Sequence, residues 1–327
     1  MPIKVQHELP ARAVIEKENI FIMDETRAVS QDIRPLEIAL VNLMPLKEDT
    51  EIQMLRSLSN TPLQVNLCFV APHHVSKNTP MSHLNQFYLK FEDIKDRYFD
   101  GLIITGAPVE LLEFEEVDFW NEIVQIMDWS QTHVTSTIFL CWAAQAAFYH
   151  FYGLKKRLLK KKVSGIYSHK VHHRKTPLVR GFDDVFLAPH SRNTEVSARE
   201  IARNRELTIL GDSDEAGVFL VMAEEGKKIF IMGHPEYDRN TLDNEYKRDM
   251  KKGLDPDIPV NYYPDDDPDN KPLLTWRAHA NTLYTNWLNY YVYQATPYDL
   301  SSMYTAAVHE SDAAASETKQ KGIGSNL

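Results

Sequence analysis

The sequence predicts an α/β protein built on a doubly wound, mostly parallel sheet, with additional helical elements toward its C-terminal end. Two observations carry this expectation. Short β-branched runs alternate with helix-forming segments through the first 155 residues, the order that yields parallel strands joined by right-handed helical crossovers. Several of these runs also end abruptly, in the turns at 43–47, at 106–110 and at Cys141. Ligands of such sheets bind beyond the carboxyl ends of the strands, so all of these turns are expected to open on one edge.

The elements follow in order. A short helix is expected at 11–18. Residues 36–43, LEIALVNL, follow Pro35 and read as the first buried strand; they run into Met44-Pro45-Leu46-Lys47 and then a polar helix at 48–59. Residues 63–70, LQVNLCFV, form a second strand. Cys68 lies inside it with no helix following at once, so it reads as core. A helix at 82–96 leads to a third strand, GLIIT at 101–105, closed by Gly106-Ala107-Pro108. A helix at 115–130 precedes the β-branched run 134–140, VTSTIFL, a buried strand. Short strands are expected at 185–188, 207–210, 217–222 and 228–232, then a helix at 240–252. The loop 264–270, PDDDPDN, lacks the EF-hand pattern and reads as a solvated turn, not a calcium site. Leu283, Trp287, Tyr290 and Tyr291 fall at helical spacing within 276–293, a helix packed on the body. From Ser301 the chain turns small and polar, as disordered tails do. The expected organisation is therefore one α/β domain over 1–300 and a disordered tail over 301–327.

Hydrophobic residues make up 43% and charged residues 25% of the 327, an ordinary globular balance. The net charge of −10 disfavours a general nucleic-acid role but leaves room for a local basic pocket. Cys68 and Cys141 are the only cysteines, so there is no disulfide framework, and a reducing cytoplasm is expected. The N-terminal stretch has no apolar signal core. The long apolar run at 134–154 is interrupted by Gln145 and His150 and changes texture midway, which argues against a membrane span.

Residues 154–180 are rich in lysine and arginine, from Lys155, Lys156 and Arg157 through Lys160, Lys161 and Lys162 to Lys175. Most read as a solvated basic face; the alternative is a landing site for phosphates or a carboxylate. His169, His172 and His173 lie among them without a cysteine or an acid at ligand spacing, so no metal is expected.

Chemistry is expected at Cys141. It sits where the strand 134–140 gives way to the helix-forming Trp142-Ala143-Ala144-Gln145-Ala146-Ala147-Phe148. Such an elbow exposes a nucleophile, and the helix N terminus behind it favours a thiolate. An inert core cysteine is the competing reading. A nucleophile needs a base and an orienting group. Ile229-Phe230-Ile231-Met232-Gly233-His234-Pro235-Glu236 is another strand running into a turn. If the strands are parallel, His234 reaches the edge that carries Cys141, and Glu236 can accept from its imidazole, a triad arrangement.

Cys141 with Gln145, and the triplet His234-Pro235-Glu236, resemble class I glutamine amidotransferase-like domains. The closer resemblance is to the homoserine O-acyltransferase family of methionine biosynthesis, the acetyl- and succinyltransferases of that fold. It rests on ENIFIM, NLMP at 42–45, DGLIITGAPVE at 100–110, VTSTIFLCWAAQAA, APHSR at 188–192, GHPEYD at 233–238 and TNWLNYYVYQATPYDL at 285–300, all in order. The flanks Phe139 and Ala143 depart from the glycines that surround the amidotransferase nucleophile.

The resemblance implies that Cys141 takes the acyl group of an acyl-CoA as a thioester, that His234 moves the protons, and that Glu236 orients His234. It implies homoserine contacts at Lys162, Ser191 and Arg248, with Glu245 and Lys47 as lesser candidates. Trp142 N–H would supply one oxyanion donor. Glu110 stands where the family separates donors: glycine leaves room for a succinyl arm, whereas Glu110 fills that space and opposes its carboxylate. The implied reaction is acetyl transfer from acetyl-CoA to L-homoserine, by a cytoplasmic homodimer with no tightly bound cofactor and no nucleic-acid or membrane partner. The alternatives are a homoserine O-succinyltransferase, a glutamine amidase or γ-glutamyl hydrolase, and a binding module with a dead site.

Overall fold

The computed structural model describes residues 3–6, 8–18, 20, 22–23, 34–73 and 78–297. The tail expected at 301–327 lies outside the described residues. The strands among them are β1 (Ile3–Lys4), β2 (Ile22–Met23), β3 (Leu36–Val41), β4 (Val65–Val70), β5 (Tyr88–Leu89), β6 (Phe99–Ile104), β7 (Val134–Leu140), β8 (Lys156–Val171), β9 (Val185–Val196), β10 (Leu207–Ser213), β11 (Gly217–Ala223) and β12 (Lys228–Ile231). They form one 12-stranded sheet in the order β2-β1-β4-β3-β6-β7-β12-β11-β10-β8-β9, with β5 paired to β4. From β2 to β12 every pairing is parallel. From β12 to β9 every pairing is antiparallel. The doubly wound, mostly parallel core is as the alternation of elements predicts, and an antiparallel extension is added to one side.

The strands β3, β6, β7 and β12 are buried on both faces, which is why they read as continuous apolar runs rather than alternating ones. Ile38, Leu40, Ile103, Ile138, Leu140, Ile229 and Ile231 point to one face, under the helices α1 (Pro10–Lys17) and α2 (Lys47–Leu58) and the C-terminal aromatics. Ala39, Val41, Leu102, Ile104, Phe139 and Phe230 point to the other, under α5 (Trp120–His133) and α6 (Trp142–Tyr152). The C-terminal helix α9 (Arg277–Asn286) continues as a π-helix over Trp287–Tyr293. Trp287 lies flat on the sheet because Gly101 offers no side chain: a Cβ there would come within 2.9 Å of the indole. The indole N–H donates to Ser136 Oγ at 2.9 Å, which satisfies both buried groups.

The expected helix at 82–96 is interrupted. It divides into α3 (Met81–Phe87), β5 and α4 (Phe91–Ile94). Tyr88 turns inward, donating to Glu51 Oε1 and accepting from Asn42 Nδ2, and these buried bonds outweigh helical continuity. The basic stretch 154–180, read as a solvated charged face or an anion landing site, is mostly the long strand β8, and the short strand expected at 185–188 is the first third of β9. These strands pair with each other along most of their length. The charged residues of β8 hid its strand character because its first half is solvated without the alternation that marks a half-buried strand. The remaining helices are α7 (Ala198–Arg203) and α8 (Thr241–Lys251).

Candidate active site

Cys141 follows β7 directly and caps α6 with φ +47°, ψ −108°. That conformation is costly for a residue with a Cβ, and such strain is held where the surroundings over-determine it. Here the Cys141 N–H is tied to the Ile231 carbonyl at 2.7 Å, and the Gln145 N–H closes the first helical turn onto the Cys141 carbonyl. β12 runs parallel to β7 with Ile231 opposite Leu140, so His234 emerges on the edge that carries Cys141. The His234 N–H is anchored to the Pro189 carbonyl at 2.9 Å. Gly233 permits this approach, since a Cβ there would lie 2.6 Å from the same oxygen. The Gly106 turn closes the group: a Cβ at Gly106 would lie 3.3 Å from Cys141 Cβ and 3.4 Å from His234 Cε1.

Cys141, His234 and Glu236 therefore converge. His234 Nδ1 meets Glu236 Oε1 at 2.7 Å, and the imidazole faces Cys141 across the Gly106 turn. Burial disfavours the imidazolium, but the charges of Cys141 and Glu236 and the hydrogen bond to Glu236 outweigh it, and His234 titrates well above its ordinary range. The Tyr237 ring stacks on His234 at 4.1 Å.

The remaining candidates form two neighbouring groups. Ser191 Oγ donates to Glu245 Oε2 at 2.5 Å, and Tyr237 Oη donates to Glu245 Oε1 at 2.9 Å. Burial, then the Glu245 charge, keep the Tyr237 phenol protonated well above its ordinary range, so it stays a donor. Arg248 and Lys162 converge on Asp249, with Arg248 Nε at 2.8 Å from Oδ1 and Lys162 Nζ at 3.2 Å from Oδ2. Burial opposes the Asp249 charge, yet the bond from Arg248 and the charges of Lys162 and Arg248 hold its pKa down. Glu245 and Arg248 share a helix, as their spacing predicts, but each is held by other partners. Lys47 is buried and donates to the Asn42 and Met44 carbonyls, where desolvation, partly offset by Glu51, pulls it down to about 8.

Glu110 turns its carboxylate toward β9. Oε1 accepts from the Asn193 N–H at 3.0 Å and from Asn193 Nδ2 at 2.6 Å. Asn193, Tyr237 and Asp249 were not singled out from the sequence. Tyr237 stood inside the quoted GHPEYD segment and Asp249 next to Arg248, an acid among cations, but only the packing gives them partners. Gln145 exchanges bonds with Thr194 and ties α6 to β9. His169 is buried against Phe186, with Nε2 2.9 Å from His190 Nε2, while His172 pairs with Asp212. Among the described residues no three His, Cys, Asp or Glu side chains cluster as a metal site would require, and no helix is long and apolar enough to cross a membrane.

The model of the homoserine O-succinyltransferase family matches residues 2–298. The chain belongs to this family. It is 67% identical over 301 residues to a homoserine O-acetyltransferase of Lachnoclostridium phytofermentans, covering 92% of this chain and 100% of that protein. A homoserine O-acetyltransferase of Lachnospira eligens is 64% identical over 305 residues, 93% of this chain and 98% of that protein. A homoserine O-succinyltransferase of Pseudoalteromonas atlantica is 52% identical over 304 residues, 93% and 99%. Among solved structures, a glutamine amidotransferase of Thermotoga maritima aligns with TM-score 0.52 at 11% identity, over 78% of this chain and 97% of its own. At that identity the likeness speaks for the shared fold alone.

Proposed function

We propose that this protein acylates L-homoserine from acetyl-CoA through an acetyl-Cys141 intermediate. The observation that carries the mechanism is the buried Cys141–His234–Glu236 chain at a strained strand–helix turn. Cys141 Sγ attacks the thioester carbonyl and the bond from that carbon to the CoA sulfur breaks; the departing thiolate takes its proton from His234. Trp142 N–H and a backbone N–H of the Gly106 turn stabilise the oxyanion. His234 then removes the proton of the homoserine hydroxyl, whose oxygen attacks the acetyl carbon and displaces Cys141.

Acylation prepares the base for this second step. Once Cys141 is a thioester, its charge no longer supports the imidazolium, while burial still opposes it. His234 therefore holds its proton less tightly when homoserine must be deprotonated, with Glu236 still supporting the charge. Arg248 and Lys162 bind the substrate carboxylate, and Ser191 with Glu245 its amino group.

Acetyl over succinyl is supported by the relatives at 64–67% identity named as acetyltransferases and by Glu110, whose carboxylate is fixed beside β9. Succinyl transfer is the second reading, favoured by the family description and the 52% relative. The cytoplasmic homodimer implied by the resemblance belongs with this proposal. Intact mass after mixing with either acyl-CoA tests it. An acetyl adduct on Cys141 that disappears with L-homoserine is expected. A succinyl adduct instead would overturn the donor assignment; glutaminase activity with no adduct would overturn the reaction.

A further inference from the structure

β8 and β9 keep register from Lys156 opposite Val196 to Leu158 opposite Thr194, and resume it at Val163 opposite Arg192. Residues 159–162 therefore bulge out opposite Asn193, the residue that holds the Glu110 carboxylate. The bulge carries Lys160, Lys161 and Lys162 in succession, beside the loop that bears Glu110. Lys156 ties the two together by donating to the Glu110 carbonyl at 2.7 Å and to that of Leu112.

The cations of the bulge are not equivalent. Lys162 is turned to Asp249. Lys161 meets Asp257 only at 3.5 Å with both side chains more than 70% exposed, which is worth little in water. Lys160 is exposed and has no acidic partner among the described residues. Leu111 and Leu112, which follow Glu110 in the chain, are 69% and 43% exposed, and Leu158, which precedes the bulge, is 70% exposed. Lysines do guard open strand edges against pairing. That role does not account for the bulge, nor for the exposed Leu158 just before it.

We infer that the β8 bulge is the docking site for the phosphates of the acyl-CoA donor, with Leu111, Leu112 and Leu158 flanking the path of its pantetheine arm. This rests on the acyl-CoA reading above. For a chain of net charge −10, a polyanionic co-substrate is best received at a local concentration of cations. The bulge supplies it on the acyl side of the site, while Lys162 faces the homoserine side.

The test pairs a variant with a truncated substrate. Lys160→Ala/Lys161→Ala protein and wild type are compared with acetyl-CoA and with S-acetylpantetheine, which carries the same thioester and no phosphate. Loss of kcat/KM with acetyl-CoA of about two- to thirtyfold is expected, from two exposed charge contacts of ordinary strength. Activity with S-acetylpantetheine should not change, and Lys160→Arg/Lys161→Arg should restore the wild-type preference. An equal loss with both thioesters, or none with acetyl-CoA, would overturn the site while leaving acyl transfer intact. Wild-type protein that turns over neither thioester would instead refute the reaction on which the site depends.

Discussion

Glu236→Gln separates the charge of the orienting group from its shape. The His234 and Glu236 side chains are 4% and 6% exposed and 2.7 Å apart, so solvent screens them little. With charge centres about 4 Å apart and an effective dielectric of about 20, the carboxylate supports the imidazolium by at most roughly 4 kcal/mol. Glutamine keeps an acceptor oxygen and loses the charge. Because Glu236 raises the His234 pKa, its neutralisation moves the transition from imidazolium to imidazole to lower pH. The assay is single-turnover transfer from preformed acetyl-enzyme to L-homoserine across pH. In the wild type the rate climbs as His234 loses its proton; in the variant the midpoint should move to lower pH, and the plateau should fall by about 10²–10³ as the imidazole loses its orientation. A midpoint and plateau both unchanged would refute the assignment of Glu236 as the group that holds His234.

Cys141→Ala should abolish both the acetyl adduct and turnover while leaving the thermal midpoint close to wild type, checked by intact mass and calorimetry. Glu110→Gly frees the Asn193 amide and removes the carboxylate, so the ratio of succinyl- to acetyl-CoA kcat/KM should rise by about tenfold or more; an unchanged ratio would place donor selection elsewhere. Gly101→Ala drives a methyl to 2.8 Å from Ile38 Cδ1 and 2.9 Å from the Trp287 ring, and should cost about 1–3 kcal/mol in denaturant unfolding. Lys47 is pulled down to about 8 by burial, which Glu51 offsets only in part. Between that pH and roughly 10.4 the unfolded chain binds a proton that the folded chain lacks, so its contribution to stability rises with pH, by at most about 1.4 kcal/mol per unit. Lys47→Met should flatten that rise.

The parallel core was legible because buried central strands are short, β-branched and separated by helix formers. Cys141 and His234 were legible for a related reason: each ends such a strand, and parallel order sends both ends to one edge. β8 was not legible. Its lysines satisfy a solvated surface equally well in a strand or a loop, and only its pairing with β9 selects the strand. The same limit applies to the bonding of candidate residues. Spacing puts Glu245 and Arg248 on one helix, but whether Glu245 bonds Arg248 or Ser191 is decided by which strand packs across from it. The interruption at Tyr88 likewise comes from Glu51 and Asn42, which are 37 and 46 residues away in the chain. Local pattern thus pointed to the parallel core, the elbow and the types of the candidate reacting groups. The partners of each polar side chain came from tertiary contacts, because a buried hydrogen bond is made with whatever the fold brings near, at any distance along the sequence.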